Sequence, residues 1–253
     1  MAVDSLTSTP ANHLYNVRFP QKHETNVQQD DEWCELLTKD HVQHIRFHDY
    51  AFIFNNRGLY EQLFVDRLKC SSHRVVTDLL GKETHRLQGA PLHAMDLGAG
   101  NGLVGAQLHQ LGASRLIGCD ILPEAKQAAL RDQPGIYDDY LICDLTNLSD
   151  EHSTLLHKAD INVLTIVGAL GFGDIPKEAF LAAIGFVKNG GLIAFNLKDQ
   201  FYGSEDQSGF SETIKESVVN GRLAILSEQK YCHRLSVTGQ ELYYYAFVAV
   251  KRS

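Results

Sequence analysis

An acid followed at +2, +4 and +6 by three glycines, Asp96-Leu97-Gly98-Ala99-Gly100-Asn101-Gly102, is the pattern in this sequence best suited to holding a ligand. Glycine has no Cβ, so its backbone takes up left-handed dihedrals and lies close against a bound molecule. A dinucleotide fingerprint, G-x-G-x-x-G, would place its third glycine at 103, where Leu103 stands. An ionised Asp96 repels a pyrophosphate at close range and attracts a ligand that carries an ammonium group. On the loop alone, a dinucleotide site or a plain strand-to-helix turn stays open. Two further acids, Asp120 and Asp144, each end a short apolar run downstream. Each alone reads equally as a helix cap or an acid stabilised by a helix dipole. Three acids at three successive strand ends behind one glycine loop are a more specific set.

The loop resembles motif I of the class I S-adenosylmethionine (SAM)-dependent methyltransferases, D/E-x-G-x-G-x-G, matched at Asp96, Gly98, Gly100 and Gly102. The resemblance spans roughly residues 58–251. It implies that Gly98, Ala99, Gly100 and Asn101 admit the cofactor and that Asp96 serves its amino end, directly or through water. It implies that Asp120, with Ile121 beside it, accepts from the ribose hydroxyls. Asp144 would accept from the adenine amino group, with the Leu145 N–H on a ring nitrogen and Leu145 and Leu122 flanking the base. Val167 and Gly168, opening the Gly-rich stretch 167–174, would pass under the methyl donor and face the acceptor. SAM is then the cofactor and S-adenosylhomocysteine (SAH) the product. The stretches 167–170 and 190–195 are similar to those of small-molecule, methyltransferase-like members, including the Williams–Beuren-region group.

These residues need strand ends to carry them. Apolar runs at 92–97, 115–120, 140–144, 161–167 and 192–196 alternate with helical patterns at 103–108, 123–130, 150–157 and 177–187, as a parallel α/β sheet requires. Pro123 suits the first turn of its helix. After a helix over 208–220, two strand-like runs at 223–231 and 242–250 lack room for a crossover, so they are expected to form an antiparallel hairpin. The fold class is α/β: a three-layer α-β-α sandwich around a seven-stranded, mostly parallel sheet. The resemblance implies strand order 3-2-1-4-5-7-6 with strand 7 antiparallel.

Ahead of this core, residues 1–30 are expected to be a mobile arm, and 31–88 a helical lid on the substrate side that is too aromatic for a linker. Residues 89–253 are expected to form the SAM-binding core. In the lid, His41, His44 and His48 would share one face of a continuous helix. A metal site is one reading of that spacing, but surface histidines are commoner, and no metal is expected. Attack on an already activated methyl leaves the enzyme to align the nucleophile and take its proton. The candidates for that work are His48, Tyr50 and Asn196. Asn55, Asn56, Arg57, Tyr60, Lys198 and Asp199 are further polar possibilities.

The 253 residues carry a formal charge of −8, with 44% hydrophobic and 21% charged residues, ordinary for a soluble globular chain. The acidic balance argues against a nucleic-acid surface, and no Asn/Asp-Pro-Pro-Tyr/Phe quartet follows strand four. No run is long enough for a membrane span and no signal-peptide pattern opens the chain. Five scattered cysteines fit reduced thiols in the cytoplasm. The function expected is transfer of the sulfonium methyl to an O, N or C nucleophile of a small molecule, with a homodimer through the N-terminal segment open. The alternatives are a SAM-binding protein that does not methylate and a NAD-dependent oxidoreductase.

Overall fold

Cys34 and Leu36 are buried between half-buried neighbours, a period of two that makes a strand of Trp33–Leu37. The structure is a computed structural model that describes residues 14–21, 28–171, 174–201 and 209–252. Strands β1 (Val17–Arg18), β2 (Trp33–Leu37) and β3 (Val42–Arg46) form an antiparallel sheet in that order. The turn closes on Thr38, whose N–H and hydroxyl both donate to the His41 carbonyl. The first half of the expected helical lid is therefore a hairpin. The lid is helical from α1 (Tyr50–Asn55) through a π-helical segment (Glu61–Arg67) to α2 (Ser72–Glu83).

These pieces share a small core of their own, including Ile45, Phe47, Ile53, Leu63 and Phe64. Part of the expected arm lies on it. The Tyr15 N–H donates to Gln62 Oε1 and Gln62 Nε2 donates to the Tyr15 carbonyl, at 3.0 and 2.7 Å. Residues 1–13 and 22–27, and with them the dimer contact expected there, lie outside the described residues.

The main sheet follows the alternation expected of it. Its elements run β4 (Leu92–Leu97), α3 (Leu103–Gln110), β5 (Ala113–Asp120), α4 (Pro123–Asp132), β6 (Asp139–Ile142), α5 (Asp150–Lys158) and β7 (Val163–Ile166). Then come α6 (Lys177–Phe186), β8 (Leu192–Lys198), α7 (Phe210–Val219), β9 (Leu223–Leu235) and β10 (Glu241–Lys251). The spatial order is β6-β5-β4-β7-β8-β10-β9. Strands β4 to β8 pair in parallel, and β10 runs antiparallel to both β8 and β9. Numbered within this sheet, that is 3-2-1-4-5-7-6.

Successive side chains of a strand point to opposite faces, and here both faces are apolar, as a covered parallel sheet demands. Met95, Leu97, Ile117 and Ile193 face α5, α6 and α7. Ala94, Leu116, Leu192 and Ala194 face α2 and α3. Among the described residues no helix is long and apolar enough to cross a membrane.

The last five residues of β9 continue beneath the lid. The Ser71 N–H donates to the His233 carbonyl at 3.0 Å and the Leu235 N–H to the Leu68 carbonyl at 2.7 Å. Arg234 and Glu32, both almost fully buried, pair at 2.5 Å, and Glu32 also accepts from the Val237 N–H. The turn of the hairpin is thereby fastened to the lid's core, so the lid and the sheet enclose a space between them.

Candidate active site

That space is a cleft of about 560 Å³ at the carboxyl ends of β4, β5, β6 and β7. Its sheet side begins with the glycine loop. Gly98, Gly100 and Gly102 have φ of +70°, +52° and +89°, which side chains with a Cβ rarely adopt. The Gly98 and Ala99 N–H groups donate to the Cys119 carbonyl at 2.8 and 3.1 Å, docking the loop on β5. Asp120 grips it from the next strand end: its carboxylate accepts from the Gly100 N–H at 2.9 Å and the Leu122 N–H at 3.0 Å. Burial raises the Asp120 pKa against the lowering effect of those bonds.

Residues from the next two strand ends surround the loop. Leu122 and Leu145 line the cleft with Asp144, whose carboxylate accepts from the Thr146 N–H and hydroxyl at 2.8 and 2.7 Å. Those bonds lower the Asp144 pKa. Ile121 is 62% exposed and forms the rim. Asn101 is buried, and its side-chain amide donates to Glu61 Oε1 at 2.7 Å. The other Glu61 oxygen is sealed without a partner, and burial raises that carboxyl's pKa.

Asp96 sits elsewhere than expected. Its carboxylate is one layer behind the loop and does not line the cleft. It accepts from the Tyr137 hydroxyl and the Thr165 hydroxyl, both at 2.7 Å, and burial pushes its pKa up to about 6. The Asp96 carboxylate thus faces away from the cleft lining and ties β4 to Thr165 of β7 and to Tyr137. Tyr137 reaches Asp96 because Gly105 leaves room: a Cβ there would lie 2.4 Å from the Tyr137 hydroxyl. The Tyr140 hydroxyl donates to the Gly100 carbonyl at 2.7 Å. Nothing in the pattern around 137–140 distinguishes these tyrosines from core aromatics.

The facing side is built by the lid. Tyr50, Phe54, Tyr60 and Phe64 form a continuous aromatic wall with successive ring centroids 5.9, 5.5 and 4.8 Å apart. Burial raises the Tyr50 pKa far above that of a free phenol, so Tyr50 is a hydrogen-bond donor, not a base. His48 lies beside it with Nδ1 3.5 Å from the Asp174 carboxylate. The hydrogen bond to Asp174 raises the His48 pKa, opposed by partial burial.

His41 and His44 do not join His48 on a helical face. His41 is in the hairpin turn, and His44 is exposed on β3, its ring tilted 34° against that of Trp33 with centroids 4.4 Å apart. Asn55 and Arg57 are exposed, and Asn56, Lys198 and Asp199 do not line the cleft. Tyr60 does.

Asn196 is also displaced from the role expected of it. It is 1% exposed, behind the cleft wall. Its Oδ1 accepts from the Gly168 N–H at 2.7 Å, and its Nδ2 donates to the Tyr231 hydroxyl at 2.7 Å and to Ser72 Oγ at 3.3 Å. It positions the turn at Gly168 and cannot touch a substrate. Val167 and Gly168 do line the cleft; Phe172 and Gly173, further along that stretch, lie outside the described residues.

Sequence reasoning passed over Ser72, His233, Arg234 and Tyr244, all of which line the cleft. His233 and Arg234 are adjacent on a strand, where alternation would send one of them to solvent. Both are buried because β9 passes under the lid. Basic side chains stand on one side of the cleft only. On the sheet side, from Leu97 to Asn101, Asp120 to Leu122 and Cys143 to Leu145, stand two acids and no cation. His48, His73, His233 and Arg234 are all on the lid and hairpin side.

This architecture is the class I methyltransferase fold. The N-methyltransferase NodS from Bradyrhizobium japonicum WM9, solved with SAH, superposes over 82% of this chain and 98% of its own, at 12% identity and a TM-score of 0.55. A SAM-dependent methyltransferase from Clostridium acetobutylicum ATCC 824 matches 77% of this chain and 97% of its own, at 12% identity and a TM-score of 0.53. A putative RNA methyltransferase from Pyrococcus horikoshii matches 71% and 84%, at 14% identity and 0.50. No family model and no curated protein matches the sequence. Identities this low establish a shared fold.

Proposed function

We propose that the cleft binds SAM on its sheet side and that the protein transfers the methyl group to a small molecule held against the lid. The observation that carries this is the acid-lined, cation-free half around the glycine loop. Asp120 takes one backbone N–H on each carboxylate oxygen and keeps the remaining lone pair of each for the ribose hydroxyls. A pyrophosphate would meet two carboxylates there and no counter-charge.

When bound, SAM supplies a methyl group activated by its sulfonium. The chain's own task is alignment and proton removal. The aromatic wall from Tyr50 to Phe64 holds a flat, apolar acceptor and excludes water. Neutral His48, oriented by Asp174, takes the proton from an acceptor that has one, a contribution of roughly 10²–10⁴-fold in general-base catalysis. Asn196 fixes Gly168 between the two halves.

Calorimetric titration with SAM and with SAH tests the binding. Wild-type protein is expected to bind both and Asp120→Ala to lose affinity with its circular-dichroism spectrum retained. Unchanged affinity in Asp120→Ala rejects the ribose assignment. Incubation with SAM and a metabolite extract is expected to release SAH; binding without SAH release would leave a SAM-binding protein that does not methylate.

A further inference from the structure

Behind the acceptor half of the cleft runs a chain of hydrogen bonds whose direction is fixed at one end. The Gly168 N–H can only donate, so Asn196 Oδ1 is the acceptor and Asn196 Nδ2 the donor. Nδ2 donates to the Tyr231 hydroxyl at 2.7 Å and, more weakly, to Ser72 Oγ at 3.3 Å. With its oxygen so occupied, Tyr231 turns its own proton to Ser72 Oγ, 2.7 Å away. Ser72 then has one proton left to give, and His233 Nδ1 lies 2.6 Å from it. Running the last link backwards, with His233 as donor, leaves one buried hydroxyl proton with no oxygen or nitrogen acceptor and only the weakly accepting Cys70 sulfur to turn to. The Cys70 thiol lies 3.9 Å from Nδ1 and can take either role in that contact, so the direction is set by the Ser72 link.

We infer that His233 is held as the neutral Nε2–H tautomer and presents that N–H to the acceptor half of the cleft as a fixed hydrogen-bond donor. It takes a lone-pair oxygen of the acceptor molecule, as in a carbonyl, carboxylate or phenolate. His233 lines the cleft. Among the described residues no protein group accepts from Nε2, and that atom is not one of the buried polar atoms lacking a partner. It therefore opens on the cavity. Its ring stacks on Tyr244 with centroids 4.1 Å apart, so it cannot rotate freely. The surroundings keep it uncharged: burial, with Arg234 and Lys198 nearby, lowers its pKa well below the ordinary value, and Cys70, Tyr231 and Tyr244 around it stay protonated because burial raises theirs. Ser72, Tyr231 and Asn196 are positioning residues, because the bond made by one ring nitrogen sets the state of the other.

The tautomer is independent of the methyl-transfer proposal; only the acceptor's role rests on it. Nitrogen-15 NMR of histidine-labelled protein, with His233 assigned by its loss in His233→Gln, reads the tautomer directly. The expected spectrum is Nε2–H, with the ring uncharged at neutral pH and Ser72→Ala erasing the preference. An Nδ1–H tautomer, or a ring that is charged at neutral pH, overturns the inference. Sodium benzoate, as a probe with a lone-pair oxygen, is expected to move the His233 Hε2 resonance; no movement up to its solubility limit overturns the oxygen-acceptor assignment. With metabolite extract as acceptor, His233→Gln, which keeps an N–H near the Nε2 position, is expected to stay within about threefold of wild-type SAH release, and His233→Asn to fall at least about tenfold. Equal losses in the two variants overturn the donor role. Wild-type protein that releases no SAH refutes methyl transfer, while the NMR result still decides the tautomer.

Discussion

Asp96→Asn is expected to make the ligand-free protein more stable at neutral pH. The buried Asp96 carboxyl has its pKa pushed from an ordinary 3.8 up to about 6. Below pH 4 it is protonated both folded and unfolded and contributes no pH dependence. Between pH 4 and 6 the folded state holds a proton that the unfolded state has released, so stability falls as pH rises. Above pH 6 the cost is complete. At 1.36 kcal/mol per factor of ten it amounts to about 3 kcal/mol. Asparagine has no charge to desolvate, and the Tyr137 and Thr165 hydroxyls can rotate to meet an amide.

The difference in stability between variant and wild type should therefore grow with pH by up to about 3 kcal/mol and flatten above pH 7. For a chain of this size that is a rise in Tm of about 6–10 °C. Thermal unfolding followed by circular dichroism from pH 4 to 8 measures it, and other titrating groups cancel in the subtraction. A difference that stays constant across that range would show that Asp96 does not carry a raised pKa. SAM affinity should meanwhile fall in Asp96→Asn, since the carboxylate that favours a cationic ligand is gone; the stability gained in the empty protein is matched by weaker binding.

Asp174→Asn should shift the acidic limb of the kcat/KM profile for SAH release to lower pH, because Asp174 raises the His48 pKa and a base works only when unprotonated. An unmoved limb would remove His48 from that role. Gly105→Ala should cost about 1–3 kcal/mol in urea unfolding through overpacking against Tyr137, and about 1 kcal/mol more if the bond to Asp96 breaks. A loss under about 0.5 kcal/mol would mean that Tyr137 has other space to occupy.

The sheet was legible because its signals are local. Five apolar runs separated by helical patterns, and an acid or glycine at the end of each of the first four, need no knowledge of distant contacts. The lid was less legible. Trp33, Leu36, Leu37, Val42, Ile45 and Phe47 suit a helical period as well as a strand's, and the alternation of Cys34 and Leu36 across the polar turn 38–41 was the discriminating cue. Position along the sequence also could not say how deep an acid lies. Asp96 and Asp120 both stand at strand ends, yet one is sealed under the loop by Tyr137 and Thr165 while the other borders the cleft. Asn196 was recognised as a polar residue near the site, but its direction on β8 depends on Ser72 and Tyr231, 124 and 35 residues away.

The passage of β9 beneath the lid has a consequence for how the protein is made. Ser72 leaves the ribosome 161 residues before His233. At roughly 5–20 residues per second, that is an interval of about 8–32 s. Glu32 waits longer still for Arg234, which follows 202 residues later. Throughout that time β4 to β8 can pair and collect their helices, while the lid's own core lacks Val237 and Glu32 lacks Arg234. Until β9 and β10 emerge, the edge of β8 that pairs with β10 and the buried acid of the lid both wait for partners from the last part of the chain to be made, the kind of incomplete surface that chaperones bind. Slowing translation between β8 and β10 would lengthen its exposure without changing a single residue.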